Sequence, residues 1–279
     1  MHSSAKSTRI VRIEPTQGWG HLGLGELWEY KDLLWFHTLK EITSKYRQMA
    51  LGPLWIVLQP IINMILFSFV FGTIAKLPSE GVPYPIFVYT ALLPWTLFQN
   101  ACTFSSNSLV QQMPVISKVY FPRLIVPIAS TLSWIVDFMI SFGFLLLLML
   151  FYGFVPGWKV LFLPLYLMWT VAFALAIGFC SAGLAVKYRD VNFVITYGLR
   201  SFMYLTPVAY SASLVPDQWL WAYKLNPLYW VIEGFRWALI DTAAAPSWEM
   251  ALPVALTAGM LVLGIYLFRR NERTVVDLL

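Results

Sequence analysis

Charged side chains are scarce. Asp, Glu, Lys and Arg make up 12% of the 279 residues, where a water-facing domain carries about a quarter. With 59% hydrophobic residues and a mean hydropathy of +0.67, too little polar surface remains to cover a globule in water. The composition points to a chain that crosses a bilayer several times. Cysteine is nearly absent as well. Cys102 and Cys180 lie in apolar runs with no Cys or His at metal-ligand spacing, which reads as two reduced, buried thiols. His2, His21 and His37 all precede the first apolar run, so no metal site is expected. The sequence has no Gly-Lys and no Gly-Gly dipeptide, which excludes a P-loop for nucleotide phosphates. It also lacks an Asp-x-Asp or an adjacent acidic pair to hold a divalent cation on a sugar nucleotide. Glu26, Glu29 and Asp32 recur every three residues, as on a solvated helix face. An enzyme is thus starved of catalytic groups. Residues 1–50 contain no early apolar h-region, so no cleavable leader is expected.

Long apolar runs are plentiful. A helix needs about 20 apolar residues to span a membrane, and six segments are predicted to do so: 54–75, 86–109, 124–151, 161–185, 191–211 and 250–268. The second has a polar half, TFSSNS, and the fifth contains Arg200 and Pro207. The predicted organisation is an N-terminal segment 1–53, a transmembrane domain 54–268 and a tail 269–279. Outside the spans, fourteen Lys and Arg lie on one side and four on the other. That asymmetry puts both termini in the cytoplasm.

The stretch SKYRQMALGPLWIVLQP, residues 44–60, marks a change of solvent. Upstream, Leu24, Leu27, Trp28, Trp35, Leu39, Ile42 and Tyr46 recur at helical spacing, with Glu26, Glu29, Lys40 and Lys45 on other faces. This predicts an amphipathic helix along the inner leaflet. Gly52 and Pro53 break it, Pro being tolerated in the first turn of the next helix. Trp55 then suits headgroup depth.

Two ionisable residues fall inside predicted spans, Asp137 and Arg200. Each is a candidate relay group for a coupled ion; otherwise Asp137 is bonded inside the bundle and Arg200 lies shallow enough to snorkel. Ala174, Gly178 and Ala182 form a small-residue stripe for close helix packing, in this chain or with another. The loop SLVQQMPVISKVYFPRLIVP reads equally as an interfacial turn or as a docking knob for a cytoplasmic partner. In the second reading Tyr120 and Phe121 enter a pocket and Lys118 and Arg123 hold its rim. Asn226 and Pro227 precede thirteen mostly apolar residues, too few to cross the bilayer, which suggests a re-entrant outer segment. Glu233 and Arg236 there can pair across one turn. Aromatics near the outer ends, among them Tyr84, Tyr89, Trp95, Phe98 and Trp230, are belt residues or platforms for sugar faces.

The fragments YRQMALGPLW (46–55), LLPWTLFQN (92–100), SNSLV and ISKVYFPR (within 106–123), VKYRD (186–190), and LNPL and EGFRWALI (within 225–240) occur in that order. Together they resemble the permease subunit of ABC-type polysaccharide exporters over residues 12–270. Exporters of lipid-linked O-antigen are the nearest match, and those of capsule and teichoic acid stand close behind. The resemblance implies an all-α protein of the bacterial inner membrane, working as two copies above two copies of a separate ATPase. That ATPase would bind the ATP and Mg, with no cofactor in this chain and no nucleic-acid partner. Lys118, Val119, Tyr120, Phe121 and Arg123 would form the coupling helix. Asn226, Pro227, Glu233 and Arg236 would cap the channel. Lipid-anchored glycan would enter between the first and fifth spans. The competing readings are an ion-driven flippase, a membrane glycosyltransferase and an exporter of drugs or small lipids.

Overall fold

The computed structural model describes residues 28–47, 52, 54–116 and 121–277, and all their regular structure is helical. Helix α1 is Lys31–Tyr46, and α2 is Leu54–Phe67, which runs on through the wider turns of Ser68–Ile74. Then follow α3 (Tyr84–Ile116), α4 (Ile125–Phe151), α5 (Leu163–Lys187) and α6 (Asp190–Tyr204). The chain closes with α7 (Asp217–Leu225), α8 (Pro227–Leu239) and α9 (Ala251–Asp277).

Among the described residues, four helical stretches are long and apolar enough to cross a membrane: Leu54–Ile74, Ile125–Phe151, Trp158–Lys187 and Trp248–Asn271. Their outward side chains are apolar, with Leu147 and Leu150 each 64% exposed and Leu263 52%. Such a surface suits hydrocarbon and no other solvent. This is an all-α membrane protein.

Helix α3 contains the predicted second segment, 86–109, and is not one of these four. It is the axis of the bundle, packed by α2, α4, α5, α6 and α8. Ile86, Phe87, Val88 and Tyr89 are fully enclosed, as are Phe98 and Ala101. A helix surrounded by protein needs no lipophilic exterior, so its second half can carry hydroxyls. Ser106 shares a 2.6 Å hydrogen bond with Ser181 of α5 and donates to the Cys102 carbonyl at 2.7 Å. At 33 residues, α3 is roughly 50 Å long and outruns a hydrocarbon core of about 30 Å.

The predicted fifth span, 191–211, does not form as one helix. Helix α6 stops at Tyr204, and residues 205–211 turn away. Pro207 cannot donate to a helical ladder and biases Thr206 out of the helical region. The carbonyls of Val208, Ala209 and Tyr210 instead accept hydrogen bonds from Arg236 and Tyr84. The segment expected to be re-entrant forms helix α8. Nearly every residue of α8 is buried, against α3 and α5, so its apolar side chains are covered by protein rather than left for lipid. Asn226 starts that helix by accepting from the Leu228 N–H at 2.9 Å, with Pro227 in its first turn.

The small-residue stripe of α5 finds its partner in this chain. Ala174 and Ala182 are fully buried, and α5 packs along α3. A Cβ on Gly178 would stand 2.1 Å from Ser105 Oγ and 2.7 Å from its Cβ. Gly178→Val should therefore overpack the α3–α5 seam and cost about 1–3 kcal/mol or more. Thermal unfolding in detergent would show the loss, and adding Ser105→Gly should recover part of it.

Candidate functional site

One end of the bundle is basic, with Arg123 and Lys187 at helix ends and Arg269 and Arg270 inside the last turns of α9. Of the predicted docking knob, Lys118, Val119 and Tyr120 lie outside the described residues. Phe121 is buried in the chain's own second core cluster, with Leu109, Ile116, Leu124 and Phe268. Its ring lies 5.4 Å from that of His37 in α1. Phe121 was expected to fill a partner's pocket and instead fills one of its own. A large apolar ring next to an apolar seam is drawn into it before any partner arrives. Half-buried Arg123 opens the turn into α4. Gln112, near the end of α3, donates to Glu41 Oε1 at 2.7 Å and accepts from Lys40 Nζ at 3.4 Å. Gln112 thus ties the end of α3 to α1. Burial pushes the His37 imidazole below its ordinary range, and nearby Lys40 adds to the effect.

The amphipathic character of α1 survives with two apolar faces instead of one. Trp28, Trp35, Phe36 and Leu39 point outward, at 75%, 65%, 65% and 39% exposure. Tyr30, Leu33 and Leu34 pack inward on the cluster around Phe121. Gly52 sits at φ +50°, in the left-handed region that favours glycine. That conformation fits the predicted break. Pro53 lies outside the described residues, and Trp55 is 45% exposed at the start of α2.

The same α1 ends at Asp137. Tyr46 donates its hydroxyl to Asp137 Oδ1, and Lys45 Nζ stands 3.6 Å from Oδ2. Lys45 Nζ also lies 3.5 Å from the centre of the Trp134 ring. Burial draws the Lys45 ammonium down to about 8, against the upward pull of Asp137. Asp137 therefore meets the bundle-contact reading and is tied to groups from a neighbouring element. Periodicity assigned Lys45 to a polar face and gave no sign that this face meets α4. Arg200 is different. It is exposed on α6, with its guanidinium 5.8 Å from the Tyr197 ring, four residues before the helix ends. From there it can snorkel.

At the opposite end, Arg236 is the organising group. It is 1% exposed, and its Nη1 donates to Glu233 Oε1 at 2.9 Å and to the Tyr210 carbonyl at 3.3 Å. Nη2 donates to the Val208 carbonyl at 3.1 Å, and the guanidinium lies 3.8 Å over the Phe87 ring. The predicted Glu233–Arg236 pair is present. Its larger use is to hold the turn that ends α6. Asn226 joins the same turn, its amide donating to Thr206 Oγ1 at 2.9 Å. Nearby Glu80 accepts from Ser211 and Ser213 at 2.6 and 2.8 Å, which holds its carboxyl below the usual range.

The predicted sugar-stacking set does not form a platform on this chain. Tyr89 and Phe98 are fully buried, Trp95 is 1% exposed, and Trp230 is 9% exposed with its Nε1 donating to the Lys224 carbonyl. Phe98 stacks on Phe173 at 5.1 Å. Half-buried Tyr84 donates to the Ala209 carbonyl. These rings are core, as their position on the central helix requires. The exposed aromatics of this end are others, notably Trp158, Trp219, Trp221 and Trp248.

The sequence has relatives among known proteins. Residues 32–240 match the family model described as ABC-2 type transporter. The chain belongs to the ABC-2 type transporter family. It is 26% identical over 253 residues to the O-antigen export system permease protein RfbA of Myxococcus xanthus, covering 88% of this chain and 96% of that one. A protein of the same name from Klebsiella pneumoniae is 26% identical over 206 residues, covering 74% and 79%. The polysialic acid transport protein KpsM of Escherichia coli is 23% identical over 244 residues, covering 85% and 93%. This ABC-2 chain is thus similar, nearly end to end, to permeases of polysaccharide export.

Proposed function

We propose that this chain is the membrane subunit of an ATP-driven exporter that carries a lipid-anchored polysaccharide of O-antigen type across the bacterial inner membrane. The observation that carries this reading is the likeness to O-antigen export permeases over nearly the whole of both chains. In it α3 and α6 also cross the bilayer, giving six passages with both termini and the basic end in the cytoplasm. Two copies would enclose the path and two ATPase subunits would bind below, supplying ATP and Mg. The length of α3 supports a docking role for the loop 117–123, because roughly 20 Å of the helix exceeds the hydrocarbon core. Outward motion of a long polymer calls for weak, repeated contacts rather than one tight site.

The bonded state of Asp137 speaks against the ion-driven flippase. Its carboxylate is held by Lys45 and Tyr46, which leaves no free intramembrane acid at that position to relay a proton. Capsular export stays a second reading, favoured by the KpsM likeness.

Deletion tests the function. Cells lacking this chain should lose surface O-antigen and accumulate the lipid-linked polymer on the cytoplasmic side, with the membrane-integral chain restoring export. Loss of a capsule with O-antigen intact would support the second reading instead, and normal display of both polymers would refute the proposal.

A further inference from the structure

Helix α2 carries a proline in its interior. Pro60 brings no N–H to its acceptor one turn back, the Ile56 carbonyl, so that oxygen loses its helical donor inside the apolar stretch Leu54–Ile74. Ser141 of α4 donates to it instead, at 3.3 Å. Hydroxyl donors ordinarily stand at about 2.7–2.8 Å, so the replacement is a loose one.

Ile56, Pro60 and Ser141 line a small notch between α2, α3 and α4, together with Asn100, Trp134 and Asp137. The notch holds about 40 Å³, room for one or two water molecules and for no larger guest. A bound water needs about two to four polar partners, and the wall supplies them. Trp134 Nε1 is buried and has no hydrogen-bond partner. The Asp137 carboxylate receives the Tyr46 hydroxyl on Oδ1, while Lys45 Nζ, 3.6 Å from Oδ2, stands beyond hydrogen-bond reach. The Asn100 carboxamide and the Ile56 carbonyl complete the lining. A buried N–H without an acceptor is costly, and hydrocarbon offers it none.

We propose that this notch is a hydration site. One or two bound water molecules accept from Trp134 Nε1 and donate to the Ile56 carbonyl and the Asp137 carboxylate, joining α2 to α4 where Pro60 interrupts the helical ladder. Ordered water and hydroxyl side chains are the general means by which a proline inside a membrane helix is tolerated. A turn held by water rather than by its own ladder is also a place where a helix bends. Asp137 is gripped from its other side by Tyr46 and Lys45 at the end of α1. Helix α1 and the interrupted turn of α2 therefore meet at one carboxylate, with Tyr46 and Lys45 as its positioning residues. The proposal needs only that α2 and α4 cross the membrane, and it stands apart from what the chain carries.

Hydroxyl-radical footprinting of the full chain in detergent, read by mass spectrometry, reports water bound beside a side chain. Trp134 should be oxidised at least fivefold faster than Trp169, a partly buried indole of another spanning stretch whose N–H is already bonded to Thr257 at 3.0 Å. Asn100→Leu fills the notch with methyl groups. It should cut Trp134 oxidation at least fivefold and lower the Tm, because it strands the indole N–H and the Ile56 carbonyl. Filling a dry hollow would raise the Tm instead. Ser141→Ala should lower the Tm of the parent by roughly 2–4 °C. In a Pro60→Ala background, where residue 60 regains an N–H for the Ile56 carbonyl, it should cost less than half as much. Trp134 oxidised no faster than Trp169, or a higher Tm for Asn100→Leu, would overturn the water site. An equal loss from Ser141→Ala in both backgrounds would overturn its tie to the interruption at Pro60. Should Asn100→Leu fail to insert, the footprint of the parent chain decides alone.

Discussion

Arg236→Leu should unfold the far end of the bundle at far lower temperature than the parent chain. The guanidinium satisfies two backbone carbonyls and the Glu233 carboxylate while lying over Phe87. Leucine fills similar space but leaves all three acceptors without a donor. Removing one member of a buried charge pair costs about 3–5 kcal/mol, chiefly because the other charge is stranded. Arg236→Lys should rescue little, since one ammonium cannot reproduce a planar fork serving Val208, Tyr210 and Glu233 together. Adding Glu233→Leu to Arg236→Leu should recover part of the loss by removing the stranded carboxylate. Thermal unfolding of the three variants in one detergent checks the set. A single variant within about 1 kcal/mol of the parent would mean that Arg236 does not hold the α6 turn.

The second large effect is expected at the basic end. Replacing Lys118 and Tyr120 by Ala should reduce polymer export at least tenfold and abolish stimulation of the partner's ATP hydrolysis, while membrane insertion stays normal. This pair separates docking from folding better than a variant that includes Phe121, whose ring sits in the chain's own core. Phe121→Ala should lower stability by about 3–5 kcal/mol, and export would then fall through loss of protein. The diagnostic quantity is export per unit of inserted chain. Normal export and normal ATPase stimulation in the Lys118/Tyr120 variant would remove the coupling role from this loop.

Much of this architecture is written in the sequence, and the parts that are not share a physical cause. Apolar runs long enough for a bilayer announce α2, α4, α5 and α9, because lipid imposes a one-body rule on exposed residues. The Glu233–Arg236 pair is legible because its spacing is local. So is the break at Gly52, where φ is +50°. What periodicity does not convey is which helix is surrounded. The polar half of the predicted second span carries Ser residues that bond within the bundle. For the same reason Trp95 and Phe98 pass for sugar platforms when they are core. Lys45 and Asp137 are 92 positions apart, and their meeting depends on α1 packing along α4. A buried cation at the end of an amphipathic helix was the available signal, and an intramembrane acid that needs a partner was its complement. Pro207 was likewise visible inside the predicted fifth span, and its stop at Tyr204 follows from the missing donor.

The central claim is that the chain is moved by force generated in another molecule. Proteoliposomes carrying lipid-linked polysaccharide, reconstituted with this chain and its ATPase or with this chain alone, put it to direct measurement. Polymer should reach the far side only when both proteins and hydrolysable ATP are present, and collapse of the proton gradient should leave the rate unchanged. Accumulation of polymer by the chain alone, or a rate that follows the gradient instead of ATP, would contradict the account.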